Sequence, residues 1–168
     1  EPFILIIFMK KIVIVGGGNA GCLTALYCAW HGKGKVDIEV ELIHNPKIPP
    51  ERVGQGTVLE APALLWAATG FNWYNNNIHA TPKTGILYED WGKVNDKVYH
   101  SFPADSMAMH YSPWDMRQSI LNSGHFKVTE SSVLDTKDID ADYYTYYIGV
   151  SIKIGRIIKS KEYKGLDV

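Results

Sequence analysis

The stretch MKKIVIVGGGNAGCLTAL, residues 9–26, decides the fold of this chain. Ile12 to Val15 are four consecutive β-branched residues, which predict a buried strand, and a run with helical spacing follows Gly21. The intervening GGGNAG, residues 16–21, fits the G-x-G-x-x-G pattern of a dinucleotide-binding turn. The pattern alone is weak evidence, but a strand directly before it and a helix directly after it are the context that it requires.

Each glycine of this turn has its own physical reason. Gly16 permits a tight turn, Gly18 lets the backbone approach a phosphate, and Gly21 lets the helix pack closely on the sheet. The phosphates would face the N–H groups and the positive dipole end of the helix. We therefore predict that six residues bind the pyrophosphate of a dinucleotide: Gly16, Gly17, Gly18, Asn19, Ala20 and Gly21.

Length, charge and cysteine content narrow the class of protein. A chain of 168 residues with a net charge of −1 is long enough for one domain and has no electrostatic footprint for nucleic acid. Cys22 and Cys28 lie on the predicted helix and indicate small buried side chains of a reducing, cytoplasmic protein rather than a disulfide. The histidines lack metal-ligand spacing, so we expect no metal site, and the apolar residues 3–8 are too few to cross a membrane.

The segment after the turn predicts a βαβ unit. A helix is expected over about residues 20–30, and residues 36–43 alternate apolar and acidic side chains like a strand with one solvated face. An acidic residue that binds a ribose hydroxyl is expected at the end of this second strand, but His44 and Asn45 stand there. The contact is therefore made by an amide or is missing.

The remaining pattern predicts a mixed segment inserted in the domain. We expect an α/β fold of Rossmann type, a βαβ domain that binds FAD or NAD(P). Of Trp66, Trp73, Trp91 and Trp114 we expect at least two in the core. The further predicted elements are helices over residues 58–68 and 112–121, strands over 85–91, 126–134 and 141–150, and a loop over 70–80.

Several segments, in order, resemble the flavin-dependent tryptophan halogenases, which lie within the wider set of flavin monooxygenase-like proteins. The likeness covers about residues 9–149, which we expect to form a partial FAD-binding domain, incomplete at its C-terminus. Residues 1–8 are expected to be an upstream extension, and residues 150–168 a tail outside the pattern. The matching segments are VGGGNAG at 15–21, IPPERVGQGT at 48–57, KTGILYEDW at 83–91, MHYS at 109–112 and, more loosely, DAD at 140–142 with Gly149.

This resemblance implies an activity and its requirements. Family members use FADH2, which a separate reductase supplies, to activate oxygen and oxidise a halide ion. The resulting hypohalous acid reaches a lysine beside an aromatic substrate such as tryptophan or indole. The resemblance also implies cofactor contacts in the second glycine-bearing segment, at Gly54, Gln55 and Thr57. There the amide of Gln55 contacts the flavin or gates halide access, or else is only the polar tip of a turn.

The lysine that the family uses is not at its usual place. Counting back from Trp91 puts Leu87 at that position, and leucine can neither donate a proton nor form a haloamine. Lys83 is the candidate replacement, although a solvated lysine at a strand start is the simpler interpretation.

Three alternatives remain open on the sequence. The chain belongs to a flavin monooxygenase or oxidase that does not halogenate, to a non-catalytic nucleotide-binding module, or to an inactive truncated product. Flavin absorbance and halide-dependent products distinguish them.

Overall fold

A computed structural model describes residues 9–35, 37–50, 53–103, 105–146 and 158–159. The chain divides into two compact units: unit 1 comprises residues 1–50 and 117–168, and unit 2 comprises residues 51–116. The predicted extension, residues 1–8, lies outside the described residues, and so does most of the predicted tail. The elements in chain order are β1 Lys10–Val15, α1 Asn19–Gly32, β2 Ile38–His44, β3 Gln55–Gly56, α2 Glu60–Thr69, β4 Thr81–Lys83, β5 Gly85–Glu89, β6 Lys97–Ser101, β7 Ala108–Tyr111, α3 Pro113–Leu121, β8 Lys127–Glu130, a 3₁₀ turn Thr136–Asp138, β9 Tyr143–Tyr146 and β10 Ile158–Lys159.

Unit 1 is built on a five-stranded sheet in the order β10-β9-β1-β2-β8. The four strands β9, β1, β2 and β8 run parallel, and β10 is antiparallel to β9. Lys10 pairs with Ile38 and Val15 with Ile43, so β1, α1 and β2 form the predicted βαβ unit. Buried side chains of β1, β2 and α1 form its core: Val13, Ile14, Val40, Leu42, Cys22, Ala25 and Leu26.

The second strand differs from its predicted one-sided burial. Glu41 is 4% exposed and His44 is 5% exposed, so polar residues of β2 are enclosed. In the sheet β2 lies between β1 and β8, and side chains from these two strands surround the carboxylate of Glu41. Glu41 accepts hydrogen bonds from Lys11, Lys127 and Thr129, which satisfies its buried carboxylate.

Unit 2 contains two small antiparallel sheets and the helix α2. One sheet has the order β3-β7-β4, and the other is the hairpin β5-β6. Its buried apolar side chains include Leu65 of α2, Ile78, and Met109 and Tyr111 of β7. Gly70 ends α2 in the left-handed conformation, with φ 72°, and donates its N–H to the carbonyl of Trp66.

The predicted helices and the predicted strands are confirmed with small shifts in their ends, except that the strands expected over 85–91 and 126–134 end at Glu89 and Glu130. The last predicted strand begins at Tyr143, and residues 147–150 lie outside the described residues. The short strands β3, β4, β6, β7 and β10 were not predicted.

The prediction that at least two of four tryptophans lie in the core is wrong. Trp66, Trp91 and Trp114 are exposed and Trp73 is half-buried. The helix α2 buries Ala61, Leu65 and Ala68, whose spacing forms one stripe and leaves Trp66 outside it. Among the described residues no helix is long and apolar enough to span a membrane.

Candidate nucleotide-binding site

The glycine turn of unit 1 joins the end of β1 to the start of α1. Gly16 has φ 117°, a backbone conformation that favours glycine, and its N–H donates to the carbonyl of Ile43 at 2.8 Å. Gly18 is the N-cap of α1, and no described side chain caps the helix there. The first turn of α1 contains no acidic residue, so its N–H groups and dipole favour an anion.

Two of the glycines are required by close contacts. A Cβ at Gly21 would lie 1.8 Å from the carbonyl oxygen of Gly16, and a Cβ at Gly17 would lie 2.5 Å from Cβ of His44. A Cβ at Gly18 would meet nothing within 4 Å. Gly17 and Gly21 are therefore glycines for packing, whereas the open space at Gly18 fits the approach of a pyrophosphate.

Cys22 lies one turn into α1, and its free thiol is buried. Its Sγ lies 3.6 Å from the carbonyl oxygen of Gly17, to which the thiol donates. Burial raises the pKa of the Cys22 thiol to about 12, although Arg117 opposes the shift. The thiol is therefore protonated and unreactive near neutral pH.

His44 forms a buried pair with Arg117 at the carboxyl end of β2. The Nη2 atom of Arg117 lies 2.9 Å from Nδ1 of His44, and its Nη1 donates to the carbonyl of Ile48 at 3.3 Å. Arg117 was not anticipated from the sequence, because a single arginine on a helix is usually exposed, yet it is 3% exposed. Burial, and then the charge of Arg117, lower the pKa of His44.

The second glycine-bearing segment, in unit 2, is a strand and not a turn. Gln55 pairs with Tyr111 and Gly56 with His110, so the interpretation of Gln55 as the polar tip of a turn is wrong. Tyr111 donates its hydroxyl to Oε1 of Gln55 at 3.1 Å. A two-residue strand has too short a pattern to be recognised by periodicity.

Thr57 completes this segment. Its N–H donates to the carbonyl of Met109 at 2.8 Å, and its hydroxyl accepts the N–H of Met109 at 3.1 Å. Gly54 precedes the strand, and a Cβ there would lie 4.0 Å from the carbonyl oxygen of Tyr111. These contacts fix the backbone of the segment against β7.

Lys83 and Leu87 belong to different sheets. Lys83 ends β4, which pairs with β7, whereas Leu87 lies in β5 opposite Tyr99 of β6. Lys83 is therefore not at the start of the strand that contains Leu87, but at the end of a separate strand. Thr84 separates the two strands, and Gly85 begins β5 at a place where a Cβ would lie 2.5 Å from the hydroxyl of Tyr99.

The surroundings of Lys83 are partly enclosed. Its Nζ lies 5.6 Å from the centroid of the Phe102 ring and 3.6 Å from where a Cβ of Gly56 would lie. Leu87 is 54% exposed. The structure thus brings Lys83 beside the Gly54–Thr57 segment within unit 2, and the residues 16–21 form their cluster within unit 1.

The sequence of this chain also matches a known protein family. The sequence model of the tryptophan halogenase family matches residues 11–135. The chain belongs to this family. None of the curated proteins matches the sequence.

Solved structures of halogenases share the fold of this chain. A tryptophan 6-halogenase from Streptomyces toxytricini is 18% identical with a TM-score of 0.64, over 83% of this chain and 42% of that chain. A flavin-dependent halogenase from Xanthomonas campestris is 16% identical with a TM-score of 0.57, over 81% of this chain and 41% of that one. A tryptophan halogenase from Shewanella frigidimarina is 16% identical with a TM-score of 0.59, over 80% and 39%.

These likenesses identify the fold. The mixed α/β structure with its parallel sheet matches the N-terminal FAD-binding, Rossmann-like region of the halogenases, as the sequence predicted. The chain spans less than half the length of the halogenases it matches.

Proposed function

We propose that this chain is the FAD-binding part of a flavin-dependent halogenase that acts on tryptophan, indole or a similar electron-rich aromatic molecule. The observation that carries the proposal is the family match over residues 11–135, which includes the glycine turn. Bound FAD, once reduced, would supply the electrons that activate oxygen, and the activated oxygen would in turn oxidise the halide. A separate flavin reductase and the cytoplasm are the partner and the location that this function requires.

We assign the cofactor contacts to two segments. Gly16 to Gly21 would hold the pyrophosphate, because the space at Gly18 is open and the helix N-terminus favours an anion. Gly54, Gln55 and Thr57 are proposed as flavin contacts on the resemblance, with their backbone fixed by β7. Residues 9–149 are the proposed extent of the FAD-binding domain.

Gly18→Ala tests the pyrophosphate assignment. The added methyl group meets no protein atom within 4 Å, so the fold should be unchanged, while the methyl group occupies the space through which a phosphate approaches. We expect FAD to bind about tenfold more weakly or worse, a loss of about 1.4 kcal/mol. Quenching of flavin fluorescence measures the affinity, and a thermal melt of both proteins controls for folding. Equal FAD affinity in a folded variant would remove the assignment.

The halogenation itself is tested with the full-length protein that contains these residues, together with a flavin reductase, bromide, oxygen and indole or tryptophan. We expect a brominated product by mass spectrometry that disappears when bromide or the reductase is omitted. Absence of any halogenated product across several aromatic substrates would rule out halogenation by this chain.

Lys83 is the proposed lysine for positioning the oxidant. Lys83→Ala should lower bromination by about tenfold or more without changing FAD affinity, because Nζ is the group removed. Lys93→Ala, at an exposed lysine of the same unit, is the matched control and should leave bromination unchanged. Unchanged turnover in Lys83→Ala would show that another group does this work.

The presence of leucine at position 87 favours a second candidate function. In this function the flavin enzyme oxygenates or oxidises its substrate without halogenating it. Leucine occupies the place at which the family resemblance puts the lysine, and it is exposed on β5. In the same assay this function gives an oxygenated product, or peroxide alone, that does not depend on bromide. Gain of bromination in Leu87→Lys would identify residue 87 as the difference between the two functions.

A non-catalytic nucleotide-binding module is the third candidate. It predicts affinity for NAD without flavin absorbance in the purified protein, so an absorbance scan separates it from both flavin functions.

A further inference from the structure

The buried pair of His44 and Arg117 has a defined arrangement of protons. Arginine has five N–H donors and no acceptor, so Nη2 of Arg117 donates to Nδ1 of His44 across their 2.9 Å contact. Nδ1 must then carry a lone pair, which leaves the imidazole proton on Nε2. Burial and the neighbouring guanidinium both lower the pKa of His44, and therefore keep the ring neutral.

Two donors of this pair lack an acceptor. Nε2 of His44 and Nε of Arg117 are buried and have no hydrogen-bond partner among the described residues. Such a buried donor destabilises the fold, because it has lost its hydrogen bonds to water and has gained none in the protein. An oxygen atom that reached these two donors would recover that free energy.

The guanidinium charge also lacks a partner in the described part of the chain, where no carboxylate lies within 4 Å of Arg117. Glu130 is opposite His44 in the parallel register of β2 and β8, but it is exposed and forms no ion pair there with described residues. The charge of Glu130 still opposes the lowering of the pKa of His44, so the end of β2 presents a donor backed by a cation with no direct carboxylate partner among the described residues.

The place of the pair in the fold gives this chemistry a ligand class. His44 ends β2 and packs against Gly17 of the phosphate-binding turn, where a Cβ would come within 2.5 Å of its own Cβ. In dinucleotide-binding folds an acidic residue at this end accepts hydrogen bonds from the ribose hydroxyls, whereas a basic residue accommodates a 2′-phosphate. At the end of β2 in this chain, the side chains of His44 and Arg117 offer N–H donors, as expected where a 2′-phosphate binds.

We propose that the end of β2 binds the 2′-phosphate of an adenine nucleotide, with Nε2 of His44 and the Arg117 guanidinium as donors. The two donors are buried, so a phosphate must open their surroundings to reach them, and the new hydrogen bonds would offset that cost. The proposal goes beyond FAD binding, since FAD has no 2′-phosphate. A ribose hydroxyl of FAD can still accept one hydrogen bond from Nε2.

The test compares 2′,5′-ADP with 5′-ADP by calorimetric titration of the 168-residue chain. We expect 2′,5′-ADP to bind about tenfold more tightly or better. The ratio should shrink as salt rises, because the phosphate contact is electrostatic. Equal affinity for the two nucleotides, or binding of neither, overturns the proposal.

Variants assign the preference to the pair. His44→Glu places an acceptor beside Arg117 and should remove or reverse the preference, whereas His44→Gln keeps an N–H donor and should retain part of it. His31→Glu, at an exposed histidine of α1, makes the same exchange elsewhere in unit 1 and should retain all of it. A folded His44→Glu variant that keeps the full preference for 2′,5′-ADP overturns the proposal. If the His44→Glu variant does not fold, the His44→Gln variant decides. The proposal is then overturned if folded His44→Gln protein has lost all preference.

Titration with FAD separates this inference from the proposed function. A chain that binds FAD but does not discriminate between the two ADP isomers retains the proposed function and loses this inference. A chain that prefers 2′,5′-ADP but does not bind FAD retains this inference and loses the proposed function.

Discussion

Gly21→Ala is expected to abolish the native fold of unit 1 under conditions in which the wild-type chain is folded. The new Cβ would lie 1.8 Å from the carbonyl oxygen of Gly16, which is backbone and cannot rotate away. Gly16 is itself held, with φ 117° and its N–H bonded to Ile43. Relief of the clash must separate α1 from the turn and β1, so we expect a loss of more than about 3 kcal/mol.

Urea unfolding followed by circular dichroism measures this loss. Gly18→Ala is the matched control, because the same substitution three residues earlier meets nothing within 4 Å and should change stability by less than about 0.5 kcal/mol. Equal unfolding midpoints for the Gly21 variant and the wild-type chain would contradict the close approach at this position.

Glu41→Gln is expected to remove most of the acid sensitivity of unit 1 and to lower its stability at neutral pH. Burial raises the pKa of Glu41, but hydrogen bonds from Thr129, Lys11 and Lys127 outweigh it and lower the pKa from 4.5 to about 2. The depressed pKa stabilises the fold fully above pH 4.5, and the contribution disappears as the pH falls towards 2. A shift of this size corresponds to about 3 kcal/mol.

The free energy of unfolding at several pH values between 2 and 7 measures the contribution, with urea as denaturant. The wild-type curve should fall more steeply than the Glu41→Gln curve below pH 4.5. Glu39→Gln, two residues earlier on the same strand and only half-buried, is the control and should follow the wild type closely. Parallel curves for the wild type and the Glu41 variant would show that the carboxylate is not held as the structure has it.

The sequence predicts the elements between residues 10 and 44 well because their signals are local. A β-branched run, a glycine turn and a helical run each determine their own conformation, and the pairing of β1 with β2 follows from the βαβ connection. The burial of Glu41 is different. It depends on β8, which is some eighty residues away in sequence and supplies Lys127 and Thr129. No local pattern contains that information.

In the candidate site, too, the sequence predicts the features that depend on local signals and misses those that depend on distant residues. The glycines of the turn were identified by their spacing, whereas Arg117 became visible only when α3 brought it to His44. Gln55 was placed in a turn because glycines flank it, but pairing with β7 overrides that local preference. Long-range pairing is the information that the motifs lack.

The contact between Gly17 and His44 makes two distant codons behave as one in any mutagenesis library of this chain. A Cβ atom at residue 17 would lie 2.5 Å from Cβ of His44. Any side chain at residue 17 therefore requires the side chain at residue 44 to move. A library that randomises residue 44 alone explores ligand preference on an intact turn. A library that randomises residue 17 alone samples mostly broken turns, and only paired randomisation can find a substitute for both.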